Sequence, residues 1–307
     1  MDIDPVFVAE RIETFIRESV DEFQRDGVVI GMSGGIDSAV VGTLLTRALG
    51  PDRVLALLLP ERDSSPRSKT DALREIDRLG LAWREIDLTP MLAAAGIYDL
   101  LPLKMLGTRR IKESVVRWEL HRRTKAMGET PFRRALLGTR GLGKEQRIVD
   151  AGHAYARIKH RARMLELYYV GDLENRLVVG TTNRSEAMTG FVVKWGDNVA
   201  DIEPLVPLYK TQVRQLAAYL GVPDELIRKP PTPDLMPGID DEDALGIDYE
   251  TLDIVLERLG LGWDAARMVQ ECGVSTSQVD HVREMVRRSR HLRELPPHPD
   301  LETGRPG

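Results

Sequence analysis

The chain has 307 residues, 42% of them hydrophobic and 30% charged, enough for one large folded unit or two small ones with an ample core. Its single cysteine, Cys272, excludes an internal disulfide and a cysteine-built zinc site, and no apolar run is long enough to cross a bilayer or to serve as a leader. The net charge of −5 is uneven: Lys104 to Arg163 holds 17 Lys and Arg against 5 Asp and Glu, a segment charge of +12 that leaves −17 for the rest.

Val8, Ile12, Phe15, Ile16, Val20 and Phe23 recur at helical spacing and predict an amphipathic helix with these six residues inward. A first strand over 28–32 runs into Gly31-Met32-Ser33-Gly34-Gly35-Ile36-Asp37-Ser38 and then a helix to about Leu49. A second strand over 54–59 is apolar throughout, as expected of a parallel strand covered on both sides. A helix over 67–79, stopped by Gly80, and a third strand over 83–88 continue the alternation, which predicts βαβ units and a doubly wound parallel α/β sheet.

Residues 99–150 break this rhythm. They are basic, helical over 111–121, and punctuated by Gly128, Gly138, Gly141 and Gly143. A long helix over 151–170, a buried strand over 177–180 and a helix over 208–220, ended by Gly221 and Pro223, come next. After a proline-rich loop over 230–237, two or three helices run to about His291. Residues 296–307 read as a disordered tail, leaving 1–295 as one α/β domain with a basic insertion and a helical C-terminal part.

A strand that ends in Ser-Gly-Gly and restarts as a helix is built to hold phosphate. Glycines let successive amides converge on an anion, the helix N-terminus adds positive partial charge, and Ser33 and Ser38 add donors. Asp37 sets a carboxylate where a magnesium ion bridging the phosphates would sit. The loop lacks the Lys-Ser/Thr pair of a Walker motif and resembles the SGGxDS pyrophosphate loop of enzymes that split ATP between its α and β phosphates.

Further motifs follow in order: Gly180-Thr181-Thr182-Asn183-Arg184-Ser185-Glu186, Thr189-Gly190-Phe191, Lys194-Trp195-Gly196-Asp197, Ala200-Asp201-Ile202, Leu208-Tyr209-Lys210-Thr211-Gln212, Lys229-Pro230-Pro231-Thr232 and Asp241-Glu242 with Leu245-Gly246-Ile247. This series resembles the NAD synthetases, which amidate deamido-NAD, and the resemblance covers residues 28–90 and 157–293. It implies an adenine-nucleotide α-hydrolase-like fold, a homodimer with substrate sites at the interface, and ATP and magnesium as requirements. It implies ATP contacts at Gly31, Ser33, Gly34, Gly35, Asp37, Ser38, Thr181, Lys210 and Thr232, and magnesium at Asp37 and Glu186. Substrate contacts fall on Arg161, Lys194, Asp201 and His291, with Asp37, Lys210 and Asp197 as the catalytic set. Asp197 is the candidate proton acceptor from ammonium, although a carboxylate of ordinary pKa near 3.9 is a weak base. Read without the family, Glu186 is a solvated acid, Lys210 an exposed helix lysine, and Thr181 and Thr232 are loop threonines.

Three features depart from the family's pattern. His291-Leu292-Arg293 stands where a His-Lys pair is usual, which removes a cation unless Arg293 replaces it. The loop after Thr232, the expected lid over the nucleotide, reads Pro233-Asp234-Leu235-Met236-Pro237-Gly238 where Ser-Ala-Gly-Leu-Trp is common. The insertion is either a solvated, arginine-rich excursion or a wall of the substrate site that restores the missing cation. Two other functions compete: the same chemistry on a different carboxylate, and adenylation of a base in tRNA. The insertion's few aromatics, Trp118 and Phe132, and its lack of an RNA-binding motif speak against nucleic acid. Cys272 reads as a small buried hydrophobe rather than a glutaminase nucleophile, so ammonia arrives free or from a separate glutaminase. A cytoplasmic enzyme fits these features.

Overall fold

The structure, a computed structural model, describes residues 1–101, 109–136, 144–232 and 238–299. The first part alternates α1 (Pro5–Glu22), β1 (Gly27–Gly31), α2 (Ile36–Leu49), β2 (Val54–Leu58), α3 (Pro66–Leu79), β3 (Ala82–Glu85) and α4 (Thr89–Ala94). The basic region contributes α5 (Arg109–Met127), α6 (Pro131–Leu136) and the start of α7 (Lys144–Leu173), which leads into β4 (Arg176–Val179). Then come α8 (Arg184–Thr189), α9 (Lys210–Tyr219), α10 (Asp224–Ile227) and α11 (Asp241–Leu245). The C-terminal part is α12 (Tyr249–Gly260), α13 (Ala265–Cys272), α14 (Thr276–Arg288) and α15 (Arg290–Arg293).

All strand pairs are parallel, in the order β3-β2-β1-β4. The chain winds outward from β1 through β2 to β3, then crosses back through α7 to lay β4 on the other side of β1. That reversal opens a crevice beyond the carboxyl ends of β1 and β4, where sheets of this type bind ligands. The unbroken apolar runs of β1 and β2 are buried on both faces. One face is covered by α1, α2 and α9 through Ile16, Val40, Leu44 and Val213, and the other by α7 through Tyr155 and Val170. A third apolar cluster around Tyr249, Leu252, Val279 and Met285 joins α12 to α14.

Several details differ from expectation. Phe15 and Phe23 are 42% and 51% exposed; the inward face of α1 is Ala9, Ile12, Ile16 and Val20, with Phe15 on its flank and Phe23 past the last turn. The third strand ends at Glu85 and is an exposed edge. The long helix starts at Lys144, seven residues before Ala151. The described part of the insertion is largely solvent-facing but anchored at a few points: α5 buries Val116 in the cluster that holds Tyr155, and α6 sets Phe132 edge-on to Phe191 at 5.1 Å. Arg117 Nε donates to the Gly238 carbonyl at 3.2 Å, so α5 also braces the far end of the expected lid. Of that lid, residues 233–237 lie outside the described residues, as do 300–307 of the expected tail; 296–299 are exposed and irregular. Among the described residues no helix is long and apolar enough to cross a membrane.

Candidate active site

The phosphate loop folds on its own hydroxyls. Ser33 Oγ accepts the Gly35 amide at 3.2 Å and lies 3.1 Å from Ser38 Oγ, which donates to the Gly35 carbonyl at 3.0 Å. Gly34 has φ +73°, and a Cβ there would stand 2.2 Å from the Ser68 carbonyl oxygen, so only glycine lets the loop sit against α3. Gly35 caps α2 without a side-chain bond, leaving the helix N-terminus to an outside acceptor. Lys229 Nζ donates to the Gly34 carbonyl at 3.0 Å and to Asp71 Oδ2 at 2.7 Å, fastening the loop to α3. A cavity of about 290 Å³ extends from this loop past Thr181 and Asp197 to Lys210 and Thr232.

Across the cavity, Lys210 at the start of α9 is 1% exposed. Its Nζ lies 2.5 Å from Asp37 Oδ2 and 3.3 Å from Glu186 Oε1, so the three residues expected to act on ATP and magnesium converge. Asn183 supports two of them: its Nδ2 donates to Asp37 Oδ1 at 3.2 Å, and it forms a reciprocal cap with Glu186 at the start of α8. Asp241 Oδ2 accepts the Tyr249 hydroxyl at 3.1 Å, while Asp241 Oδ1 is buried without a partner.

Burial pushes the Glu186 carboxyl up to about 8, against the pull of Lys210 and with Asp37 and Asp241 adding to the rise. Burial likewise raises Asp241 to about 6. Burial opposes the charge on Lys210, yet Asp37, Glu186 and Asp241 outweigh it and hold its pKa above the ordinary lysine value. Beyond burial, the acids gathered around this ammonium raise the pKa of Glu186 and Asp241, and a divalent cation would favour the ionised forms. Among the described residues no three-ligand His/Cys/Asp/Glu cage exists. Magnesium needs none, since it keeps several waters and binds through one or two carboxylates plus substrate phosphate, so Asp37 and Glu186 fit it.

Asp253 on α12 is the residue that sequence reasoning missed at this site. Wholly buried, it accepts the Ser185 hydroxyl and, at 2.8 Å, the Thr211 amide, while Ser185 Oγ accepts the Lys210 amide at 2.9 Å. One carboxylate thereby fixes α8, which carries Glu186, against α9, which carries Lys210. Asp253→Ala leaves these donors unmet and should cost about 2–3 kcal/mol. Urea unfolding checks this; an unshifted midpoint would remove Asp253 from the support of the site.

Glu203 is a half-buried acid, its carboxyl pushed up to about 8 chiefly by burial. Its Oε2 accepts the Thr182 amide at 3.1 Å, and Oε1 has no partner. A carboxyl raised on folding favours the protonated form, so its contribution is full below the unfolded pKa and is lost as pH rises from about 4.5 to 8. Glu203→Gln, which mimics the neutral acid, should therefore flatten the decline of Tm with pH across that window; parallel melting curves would refute it.

The expected substrate residues are placed differently. Arg161 on α7 donates through Nε and Nη2 to the Lys194 carbonyl at 3.3 and 3.2 Å, and Lys194 Nζ donates to the His291 carbonyl. These three gather beside the cavity rather than lining it. Asp201 lies apart, accepting the Val178 amide at 2.8 Å and the Tyr168 hydroxyl at 3.3 Å. Asp197 does line the cavity, held by the Val193 amide at 2.6 Å, with His160 Nδ1 3.6 Å from its Oδ2. Arg293 does not replace the missing cation: its guanidinium donates to the Ala187, Met188 and Val286 carbonyls and to Ser289. Cys272 is half-buried against the third apolar cluster.

A doubly wound parallel sheet with a glycine-serine phosphate loop at its switch point, facing an acid-lysine cluster, defines a nucleotide-handling α/β protein. The family model described as NAD synthase matches residues 8–101 and 137–296, and the chain belongs to that family. The NH3-dependent NAD+ synthetase of Thermotoga maritima is 45% identical over 250 residues, covering 81% of this chain and 86% of its own. The NMN synthetase of Francisella tularensis superposes with a TM-score of 0.72 at 28% identity, covering 98% of this chain and 100% of its own. The NH3-dependent NAD synthetase of Campylobacter jejuni gives 0.68 at 25% identity, with 97% and 100% covered. By family the chain is an enzyme of the carbon–nitrogen ligase class.

Proposed function

We propose that the chain amidates deamido-NAD with ammonia through an acyl-adenylate, converting ATP to AMP and pyrophosphate. The observation that carries this is the Asp37–Lys210–Glu186 cluster facing the phosphate loop across the switch-point cavity in a member of the NAD synthase family. A substrate carboxylate oxygen bonds to the α-phosphorus of ATP as the bond from that phosphorus to the bridging oxygen breaks. The amides at the start of α2, which no side chain caps, receive the departing pyrophosphate in a loop shaped by Ser33 and Ser38, with the Lys210 charge beside it. Magnesium held by Asp37 and Glu186 would neutralise phosphate oxygens. Thr181 and Thr232 flank the nucleotide. Ammonia then bonds to the acyl carbon, the bond to the adenylate oxygen breaks, and Asp197 takes the proton that nitrogen releases. Holding the reactants together contributes up to about 7–11 kcal/mol.

A homodimer accounts for the residues beside the cavity. Leu165, Tyr169 and Leu173 follow Arg161 at four-residue spacing along α7 and are 52%, 60% and 66% exposed. A second copy against this stripe puts Arg161, Lys194 and His291 at a seam, where a dinucleotide longer than the cavity could continue.

Pyrophosphate exchange into ATP without ammonia tests the adenylate. Exchange that requires the acid substrate supports it; exchange that requires ammonia contradicts it. The likeness to an NMN synthetase favours a second reading, in which the acid is nicotinate mononucleotide. The ratio of kcat/KM for the two acids decides between them.

A further inference from the structure

A second buried ionic group, away from Lys210, is built on residues 60–65, the segment that joins β2 to α3. Glu61 and Asp63 are both buried, and Lys159 of α7 reaches between them without any exposed surface. Its Nζ lies 2.9 Å from Glu61 Oε1 and 3.3 Å from Asp63 Oδ2. The Tyr98 hydroxyl donates to Glu61 Oε2 at 2.9 Å, and the Tyr155 hydroxyl donates to Asp63 Oδ2. Arg62 closes the group: its guanidinium stands 3.8 Å from the centroid of the Tyr98 ring, and Nη2 donates to the Tyr155 oxygen at 3.0 Å. Lys112 of α5 comes to 3.8 Å from Asp63 Oδ1. Burial opposes the charge on Asp63, yet Tyr155, Lys159 and Arg62 outweigh it and hold its pKa below the ordinary value.

The cost of dehydrating such charges offsets much of their attraction, so a buried ionic group adds little net stability over apolar residues. What these contacts do is hold three consecutive residues of a short loop in one arrangement. The other side of that loop faces the nucleotide cavity, which Pro60, Ser64 and Ser65 line. One turn beyond Lys159, Arg163 adds contacts to the Leu59 carbonyl at 3.3 Å and to Ser64 Oγ at 3.4 Å. The loop runs directly into α3, whose Ser68 carbonyl is the seat of Gly34 and whose Asp71 takes the Lys229 bridge. Lys159 itself does not line the cavity.

We propose that Lys159 is a positioning residue for ATP: by pairing with Glu61 and Asp63 it fixes residues 60–65, and through them the start of α3 on which the phosphate loop is seated. The proposal rests on the ATP-binding part of the reading above. Lys159→Met keeps the length of the side chain but removes the cation that joins the two acids. The loop then turns an acid toward water, and the seat of Gly34 shifts with it.

Calorimetric titration with ATP and magnesium, without the acid substrate, reads this apart from turnover. Lys159→Met should weaken ATP binding about tenfold or more, and Lys159→Arg should recover part of the loss. Tyr155→Phe, which keeps every charge and drops the hydroxyl bonded to Asp63, should weaken ATP binding by a smaller factor. In turnover, KM for ATP should rise while KM for the acid and kcat at saturating ATP stay near wild type. A role in stability alone would lower the urea midpoint and leave the ATP affinity of the folded variants unchanged, and that result would overturn the proposal. An equal rise in KM for ATP and for the acid would overturn it as well. If Lys159→Met does not fold, Tyr155→Phe decides: ATP affinity equal to wild type overturns the proposal. ATP binding that depends on Lys159 in a protein that amidates no pyridine nucleotide would overturn the functional reading alone.

Discussion

Lys210→Met should lower kcat/KM about 10²- to 10³-fold, the usual loss when one charge aimed at a reacting phosphate is removed. The variant should also be less stable, because Asp37, Glu186 and Asp241 would share a buried space with no cation. Removing one partner of a buried pair costs about 3–5 kcal/mol. The deficit has a sign in pH. Burial already lifts Glu186 to about 8, and loss of Lys210 removes the pull that opposes it. A carboxyl raised on folding stabilises below its unfolded pKa, near 4.3, and loses that contribution as pH climbs through the folded value. Lys210→Met should therefore lie closer to wild type in Tm at pH 6 than at pH 9. A variant with wild-type turnover, or a deficit largest in acid, would contradict the assignment of Lys210 to this cluster.

Gly34→Ala should abolish measurable ATP binding while leaving the sheet intact. The new methyl would meet the Ser68 carbonyl at 2.2 Å, and a non-glycine residue at φ +73° adds about 1–2 kcal/mol of backbone strain. The loop must then move off α3, which breaks the Lys229 bridge to Gly34 and Asp71 and spreads the amides meant for phosphate. Gly80→Ala is the control. Its φ is +67°, yet nothing lies within 4 Å of the added Cβ, so it carries the backbone strain without displacing the loop. Equal ATP affinities for the two variants, measured by calorimetry, would show that the loop does not depend on its seat against α3.

The parallel sheet was legible because its signals are local. Apolar runs at 28–32 and 54–59, each followed by a glycine-bearing turn and a helix, leave little alternative to βαβ winding. Asp37, Glu186 and Lys210 were legible as motif members, and the fold brings Asp37 and Glu186 to 2.5 and 3.3 Å from Lys210 Nζ. What supports them was not legible, since Ser185 meets Asp253 across 68 positions and Lys229 meets Asp71 across 158. No periodicity encodes such pairs. Where the insertion is anchored was not legible either: its charge dominates its composition and its surface, while a few apolar residues, Val116 and Phe132 among them, attach it to the domain. Whether Arg293 supplies the missing cation stayed open in the sequence, which does not register how many backbone carbonyls a guanidinium can satisfy.

The proposed reaction joins ammonia to a pyridine nucleotide acid by adenylation at the Asp37–Lys210–Glu186 cluster. Its most direct test is NAD and AMP formation from deamido-NAD, ATP and magnesium, with ammonium or glutamine supplied in parallel. Equal yields of NAD and AMP are expected with ammonium, none with glutamine, and loss of both products in Asp37→Asn. ATP binding without NAD formation from ammonium would contradict it and assign the same site to another acid.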